Sequence, residues 1–193
     1  MKCLLLTLGL ALVCGIYAVV IPQTRKDLDI LKLAGTWHTM VMVASDLSLL
    51  VTENAPLRIY IKEMQPTPEG NMEIVLLKRW VCPQGCGRAA RVKDACVELT
   101  VIAQKTKGPA VFTVNYQGEG KVTLLDIDYE HYLFFCLKAS THPKERAIVC
   151  QYLARTLKAN TEVMEKFHRA LETLPVPIQI SLNFTQGKER CRV

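Results

Sequence analysis

Leu57-Arg58-Ile59-Tyr60-Ile61-Lys62 decides the fold, because aliphatic residues occupy every second position of this stretch. A period of two places those residues on one face of an extended chain, so the stretch predicts a β-strand with one buried face. The turn-forming sequence Pro66-Thr67-Pro68-Glu69-Gly70-Asn71 then breaks the pattern, which resumes at Met72, Ile74 and Leu76. The two stretches therefore predict two consecutive strands.

Similar strands are expected on both sides of this pair. One earlier strand is predicted at residues 37–44, and later strands are predicted at 96–104, 111–116, 121–127, 131–138 and 146–154. Turn residues separate the later strands at Lys107-Gly108-Pro109, Gly118-Glu119-Gly120, Asp128-Tyr129-Glu130 and Ser140-Thr141-His142-Pro143. Eight closely spaced strands favour an all-β barrel or sandwich over alternating βαβ units.

One helix is predicted near the C-terminal end. Asn160 or Thr161 is suited to cap it, and Glu162 places negative charge in its first turn. Apolar residues at helical spacing give the helix one buried face: Val163, Phe167, Ala170, Leu171 and Leu174. The prolines at positions 175 and 177 end the helix, and the alternation at Ile178, Ile180 and Leu182 predicts a short ninth strand.

Residues 1–18 predict a signal peptide, since Lys2 precedes an apolar run from Leu4 to Val13 and Ala18 suits cleavage. This run is too short to span a bilayer and no other stretch is long enough, so membrane insertion is not expected. Residues 19–193 then form one secreted, extracellular domain. The secretory route is oxidising, so the six cysteines of this domain predict disulfides, and the residues alone leave fifteen pairings open.

Charge and motif content exclude several classes of function. The formal net charge of +6, or +5 without Lys2, comes from scattered residues with no interleaved aromatic side chains, so no nucleic-acid partner is expected. The chain lacks Gly-x-Ser-x-Gly, His-Glu-x-x-His, phosphate-loop and dinucleotide motifs, and its four histidines are dispersed. We expect no enzyme, no cofactor and no metal. A catalytic thiol, the remaining alternative, would have to be Cys82 or Cys86.

An eight-stranded antiparallel sheet can remove its exposed edges by closing into a barrel. The interior of such a barrel either fills with side chains or admits one small ligand, and the alternation of residues leaves both outcomes open. The inner face would carry Leu, Ile, Val, Met and Phe, which form few hydrogen bonds. A cavity there would therefore favour an apolar ligand.

Three stretches carry a family resemblance: Gly35-Thr36-Trp37, Asp126-Ile127-Asp128-Tyr129-Glu130-His131-Tyr132, and Arg155. In order and spacing they resemble the three signatures of the lipocalin family, although Ile127 stands where a threonine is usual. The resemblance implies an eight-stranded antiparallel up-and-down barrel with the helix packed outside. It also implies that Arg155 lies across Trp37 in a cation–π contact that closes the barrel base, together with Gly35, Asp128 and Tyr129.

The resemblance narrows to one branch of that family, composed of milk and reproductive-tract proteins. It covers nearly the whole chain except roughly residues 81–95, which we expect to be an atypical inserted loop. It implies two disulfides, Cys96–Cys191 and Cys136–Cys150. Within the inserted loop, a local Cys82–Cys86 disulfide is expected, with free thiols as the alternative.

The ligand site that the resemblance implies is a calyx of apolar residues. Its expected lining is Pro56, Leu57, Ile59, Met72, Ile74, Leu76, Val101, Val114, Val122, Phe135 and Leu137. Lys78 or Arg79 is expected to bind the ligand head group; an extra residue at Leu77 leaves the choice open, because a one-residue slip exchanges the two faces of a strand. Glu119 matches a lid residue that opens its loop when a buried acid ionises, with an ordinary solvated glutamate as the alternative.

These observations predict a secreted carrier that binds a small hydrophobic ligand of the fatty-acid or retinoid type. Asn183-Phe184-Thr185 is an N-glycosylation sequon, and its occupancy would favour an alternative function. In that alternative, the protein is a secreted glycoprotein that acts on cell-surface receptors through its glycans, and ligand binding is incidental. The family resemblance also suggests a homodimer.

Overall fold

A computed structural model describes residues 28–80, 95–139, 147–185 and 191. One antiparallel sheet contains the strands of this part of the chain: β1 Gly35–Thr36, β2 His38–Ala44, β3 Tyr60–Pro66, β4 Met72–Trp80, β5 Ala95–Lys105, β6 Val111–Asn115, β7 Glu119–Asp128, β8 Tyr132–Ala139, β9 Ile148–Ala154 and β10 Ile180–Asn183. Within these ranges, one α-helix of three turns, α1, spans Thr161–Glu172, and 3₁₀ turns occupy Ile30–Leu33 and Leu47–Leu49.

The sheet curls because β1 and β2 bond to opposite ends of it. The strand order is β1-β3-β4-β5-β6-β7-β8-β9-β2-β10, so two segments separated only by Trp37 lie near the two edges of one sheet. β1 pairs with β3, as Gly35 opposite Met64, whereas β2 pairs with β9, as His38 opposite Ala154. The chain segment around Trp37 therefore closes the barrel.

The helix covers one outer face of the barrel. Asn160 caps α1, because its side-chain oxygen accepts a hydrogen bond from the Val163 amide at 3.2 Å. Phe167 is fully buried against Phe134, with ring centroids 5.1 Å apart, and Phe134 in turn lies edge-on to Tyr152 at 5.4 Å. The predicted C-terminal helix is thus confirmed, and it packs outside the barrel.

The expected fold class is confirmed, but several boundaries are corrected. The predicted first strand, residues 37–44, corresponds to β2, and the short strand β1 precedes it. The strand expected from Leu57 begins at Tyr60, because the Leu57 amide bonds to Leu49 in the preceding loop at 3.2 Å. Pro66, expected in a turn, is the last residue of β3 and lies opposite Met72.

Another correction concerns the segment Gly118-Glu119-Gly120, which was expected to be a loop. The turn between β6 and β7 is shorter than this expected loop. Gln117, with φ of 57°, and Gly118, with φ of 105°, adopt left-handed backbone conformations that reverse the chain. Glu119 and Gly120 therefore already belong to β7, where Glu119 lies opposite Asn115.

Two disulfides tie the barrel together. Cys136 of β8 and Cys150 of β9 lie directly opposite each other and are both buried, and Cys96 at the start of β5 bonds to Cys191. The expected signal peptide 1–18, the Cys82–Cys86 pair and all of the loop 81–95 except Ala95 lie outside the described residues. No helix within the described ranges is long and apolar enough to cross a membrane.

Candidate ligand-binding site

The base of the barrel is sealed by Arg155. Its guanidinium lies 3.7 Å from the centroid of the Trp37 ring and donates hydrogen bonds to the carbonyl oxygens of Tyr129, Thr36 and Lys32, each at 3.0 Å. The Trp37 indole N–H donates to the Leu33 carbonyl at 2.9 Å. Burial lowers the pKa of Arg155 from its ordinary value. One side chain therefore links the N-terminal segment to the β7–β8 turn.

Two further residues of the expected base shape this contact. Gly35 has φ of 101°, and a Cβ atom there would lie 3.4 Å from a guanidinium nitrogen of Arg155, so glycine suits both the backbone and the close approach. Asp128 accepts hydrogen bonds from the Glu130 amide and the His131 ring, both at 3.0 Å. Burial alone would raise the pKa of Asp128, but these bonds and the His131 charge outweigh it and lower the pKa overall.

The interior of the barrel is hollow and apolar. The inward rows of the strands surround about 700 Å³ of unoccupied space, counted with its open mouth. The wall consists of Leu33, Ile59, Ile61, Met64, Met72, Ile74, Leu76, Val101, Ala103, Phe112, Val114, Tyr116, Val122, Leu124, Leu133, Phe135 and Leu137. The part of this space that the centre of a water-sized molecule can reach is about 60 Å³, so the side chains of the wall lie close together around the hollow.

Most of the expected lining residues meet in this cavity. Nine of the eleven are in the wall, whereas Pro56 and Leu57 are not: Leu57 is buried in the surrounding core, and Pro56 is half-buried beside the mouth. The residues that sequence reasoning missed are Leu33, Ile61, Met64, Ala103, Phe112, Tyr116, Leu124 and Leu133. The period of two along β3, β5 and β6 could have identified several of them, but Leu33 belongs to a 3₁₀ turn and carries no strand pattern.

The mouth lies at the end of the barrel opposite Arg155, where β4 ends, β5 begins and the β6–β7 turn lies. Lys78 occupies the same inward row of β4 as Ile74 and Leu76, and the β4–β5 register runs without a shift. Its ammonium donates to the Pro56 carbonyl at 3.1 Å and lies 5.9 Å from the centroid of the Tyr116 ring. Burial lowers the pKa of Lys78.

Arg79, the other expected head-group residue, is placed differently. It occupies the outward row of β4 and forms an ion pair with Glu53 in the loop before β3. The geometry therefore corrects this expectation, because an outward side chain cannot reach a ligand in the cavity. The extra residue at Leu77 was the source of the ambiguity, and the register places Lys78, not Arg79, in the inward row of β4.

Glu119 lies at the same end of the barrel, as the first residue of β7, and its side chain is exposed. The sequon residue Asn183 is also exposed, as the last residue of β10. The Asn183 side-chain oxygen accepts hydrogen bonds from the amide and the hydroxyl of Thr185, at 2.9 and 2.6 Å. Phe184 between them is buried and packs edge-on to Tyr60 at 5.4 Å, so the sequon is anchored through its middle residue.

The profile of the lipocalin and cytosolic fatty-acid binding protein family matches residues 34–188. The chain belongs to this family. Curated relatives narrow the placement: horse β-lactoglobulin-2 is 54% identical over 191 residues, covering 99% of each chain. Cat β-lactoglobulin-2 is 56% identical, and the match covers 90% of this chain and 99% of the cat protein. Human glycodelin is 46% identical, and the match covers 100% of this chain and 99% of glycodelin. The resemblance to the branch of the family that contains β-lactoglobulin and glycodelin is thereby confirmed.

Solved structures show the same fold for this lipocalin. The possum milk whey lipocalin trichosurin, determined with bound 4-ethylphenol, has a TM-score of 0.66 and 23% identity over 81% of this chain and 99% of its own. An odorant-binding protein, OBP1, has a TM-score of 0.64 and 19% identity, and the match covers 80% of this chain and 94% of OBP1.

Proposed function

We propose that this lipocalin is a secreted carrier that holds one small hydrophobic ligand of the fatty-acid or retinoid type in its barrel cavity. The observation that carries the proposal is the apolar wall: among the described lining residues, none is charged. Each methylene group that leaves water for such a wall contributes about 0.8 kcal/mol. The bound 4-ethylphenol of trichosurin, a compact molecule with an apolar body, supports a ligand of this general kind.

The head group of the ligand is proposed to lie at Lys78. The ammonium group is half-buried at the mouth and is directed at the Pro56 carbonyl. A carboxylate at this point would replace a neutral acceptor by a charged one, which strengthens the hydrogen bond. The apolar part of the ligand would then extend from Lys78 towards Trp37.

Retinol and a fluorescent fatty acid test the proposal when they are titrated into the protein. Ile74→Trp should abolish binding because the indole would fill the cavity from β4, at a packing cost of about 1–3 kcal/mol. Val75→Trp, the same change on the outward row one residue along, is the matched control and should bind like wild type. Equal binding by both variants would show that the ligand lies elsewhere.

A pH-dependent gate at Glu119 is a further part of the proposal. The carboxylate is exposed in this structure, as the alternative of an ordinary solvated glutamate requires, and it belongs to the first residue after a tight turn at the mouth. Retinol affinity measured on both sides of neutral pH, in the wild type and in Glu119→Gln, tests the gate. The same affinity and the same turn conformation at both pH values would eliminate the gate.

A second candidate function rests on the exposed Asn183. An accessible sequon in a secreted chain is open to N-glycosylation, and the protein would then act on cell-surface receptors through its glycans. Native mass spectrometry of the protein from its source would reveal glycan, bound ligand and the expected homodimer together. A cell-response assay that Asn183→Gln abolishes, while Ile74→Trp leaves it intact, would favour this function over transport.

A further inference from the structure

Two side chains of the cavity wall can change shape more easily than the rest. Met64 and Met72 are the unbranched, flexible chains among the described lining residues; the others are aromatic rings, branched aliphatic chains and one alanine. Branching at Cβ, as in isoleucine and valine, leaves few side-chain rotamers, whereas methionine has three rotatable bonds and a polarizable thioether. The wall should therefore adjust to a ligand first at Met64 and Met72.

Both methionines lie at the closed end of the cavity, away from the mouth. Met72 is the first residue of β4, and Met64 of β3 lies opposite Gly35 of β1, close to the sealed base. The register between β3 and β4 makes the two methionines diagonal neighbours on one face of the sheet. They are 5% and 3% exposed, so together they form a buried floor.

Each methionine has a small residue opposite it on a neighbouring strand. Gly35, opposite Met64, has no side chain, and Ala103, opposite Met72, has a single methyl group. A thioether can therefore turn towards that strand without displacing a large side chain from it. The floor can move sideways while the backbone of the barrel stays in place.

The hollow in this structure is too small for a long ligand. The centre of a water-sized molecule reaches about 60 Å³ of it, which is room for roughly five waters at about 10–15 Å³ each. A long fatty acid has several times as many heavy atoms. The barrel therefore encloses such a ligand only if side chains of the wall move.

We propose that Met64 and Met72 form a deformable floor, which moves aside for a long unbranched acyl chain and so sets the longest ligand that the cavity holds. This inference rests on the proposed carrier function and deepens it, because it names long-chain fatty acids as the ligand class. The thioethers turn towards Gly35 and Ala103, and the end of the acyl chain takes the space that they leave.

Octanoate and palmitate test the floor, because they share a carboxylate and differ in chain length. Calorimetric titrations of the whole protein give a dissociation constant for each. A double variant, Met64→Ile with Met72→Ile, keeps the side-chain volume nearly constant but makes the floor stiff. Each methylene kept out of the cavity lowers affinity about fourfold, so excluding two or more should lower the ratio of palmitate to octanoate affinity at least about tenfold.

Met40→Ile is the matched control, since Met40 is a fully buried methionine of β2 that packs in the cluster beneath α1 and not in the cavity wall. It should leave the ratio of the two affinities unchanged. An unchanged ratio in the double variant would overturn the floor while leaving the carrier function in place. An equal change of ratio in Met40→Ile would also overturn it, because the effect would not be local.

Nuclear magnetic resonance of the methionine methyl groups tests the movement itself in the wild-type protein. The Met64 and Met72 signals, assigned with the single isoleucine substitutions, should shift more on saturation with palmitate than with octanoate. Methyl signals that stay in place, or wild-type protein that binds octanoate but not palmitate, would overturn the floor alone. Wild-type protein that binds no fatty acid and no retinol would overturn the carrier function and the floor together.

Discussion

Replacing Arg155 by leucine should destabilise the barrel through its base. The substitution removes three hydrogen bonds to backbone carbonyls, each 3.0 Å long, and the contact with the Trp37 ring. Because the guanidinium is only partly buried, each bond is assigned about 1 kcal/mol, the typical net value, and the ring contact about 0.5–1 kcal/mol. The expected loss is therefore about 3–4 kcal/mol, or roughly 10 °C in Tm for a domain of this size.

Urea unfolding followed by intrinsic fluorescence measures this loss as a shift of the midpoint at constant slope. Arg155→Lys keeps the charge but offers a single nitrogen as hydrogen-bond donor, so we expect it to lose about half as much stability as Arg155→Leu. Arg169→Leu, which removes an exposed arginine from α1, is the control and should lie within about 0.5 kcal/mol of wild type. If Arg155→Leu also stays within that limit, the guanidinium does not hold the base together.

Three further predictions concern stability. Asp128→Asn should lower the free energy of unfolding by about 0.5 kcal/mol at pH 7. The pKa of Asp128 in the folded state lies below its ordinary value near 3.8, so this difference in stability should shrink as the pH falls through the lowered pKa. Urea titrations at pH 7 and pH 3 measure the change. Replacing both Cys136 and Cys150 by alanine should lower the free energy of unfolding by about 3 kcal/mol, because the disulfide closes a loop between cysteines 14 residues apart. Calorimetry measures this loss of stability, and an unchanged stability would show that the disulfide is dispensable. Asn160→Ala should cost about 1 kcal/mol by removing the α1 cap, whereas Asn160→Ser should recover most of it.

The parts of the fold that the sequence predicted share one property, a regular local pattern. β4 illustrates this, because the period of two from Met72 predicted one row of Met72, Ile74 and Leu76, and these three side chains lie in the cavity wall. The helix was equally accessible, since an N-cap and an apolar stripe mark it. A pattern of period two or 3.6 records which face of an element is buried, and burial is what the wall of a cavity requires.

The errors arise where the outcome depends on pairing between distant residues. Lys78 and Arg79 are neighbours of similar charge, and only the continuous register with β5 shows which of them faces inward. Pro56 was expected in the wall, but its carbonyl instead accepts a hydrogen bond from Lys78 beside the mouth. The strand pattern identifies Tyr116 only as the last residue of a strand, because no local pattern records that its side chain will line the cavity.

The position of the first strand has a consequence for how the protein folds. β2 is buried along almost its whole length, yet its partner β9 lies more than a hundred residues further along the chain. During synthesis, this apolar segment emerges early and must wait for nearly the entire polypeptide before it can pair. Contacts between such distant segments slow folding and leave an unsatisfied strand open to aggregation. Pairing of β2 with β9 is therefore expected to be a late step in the folding of the barrel.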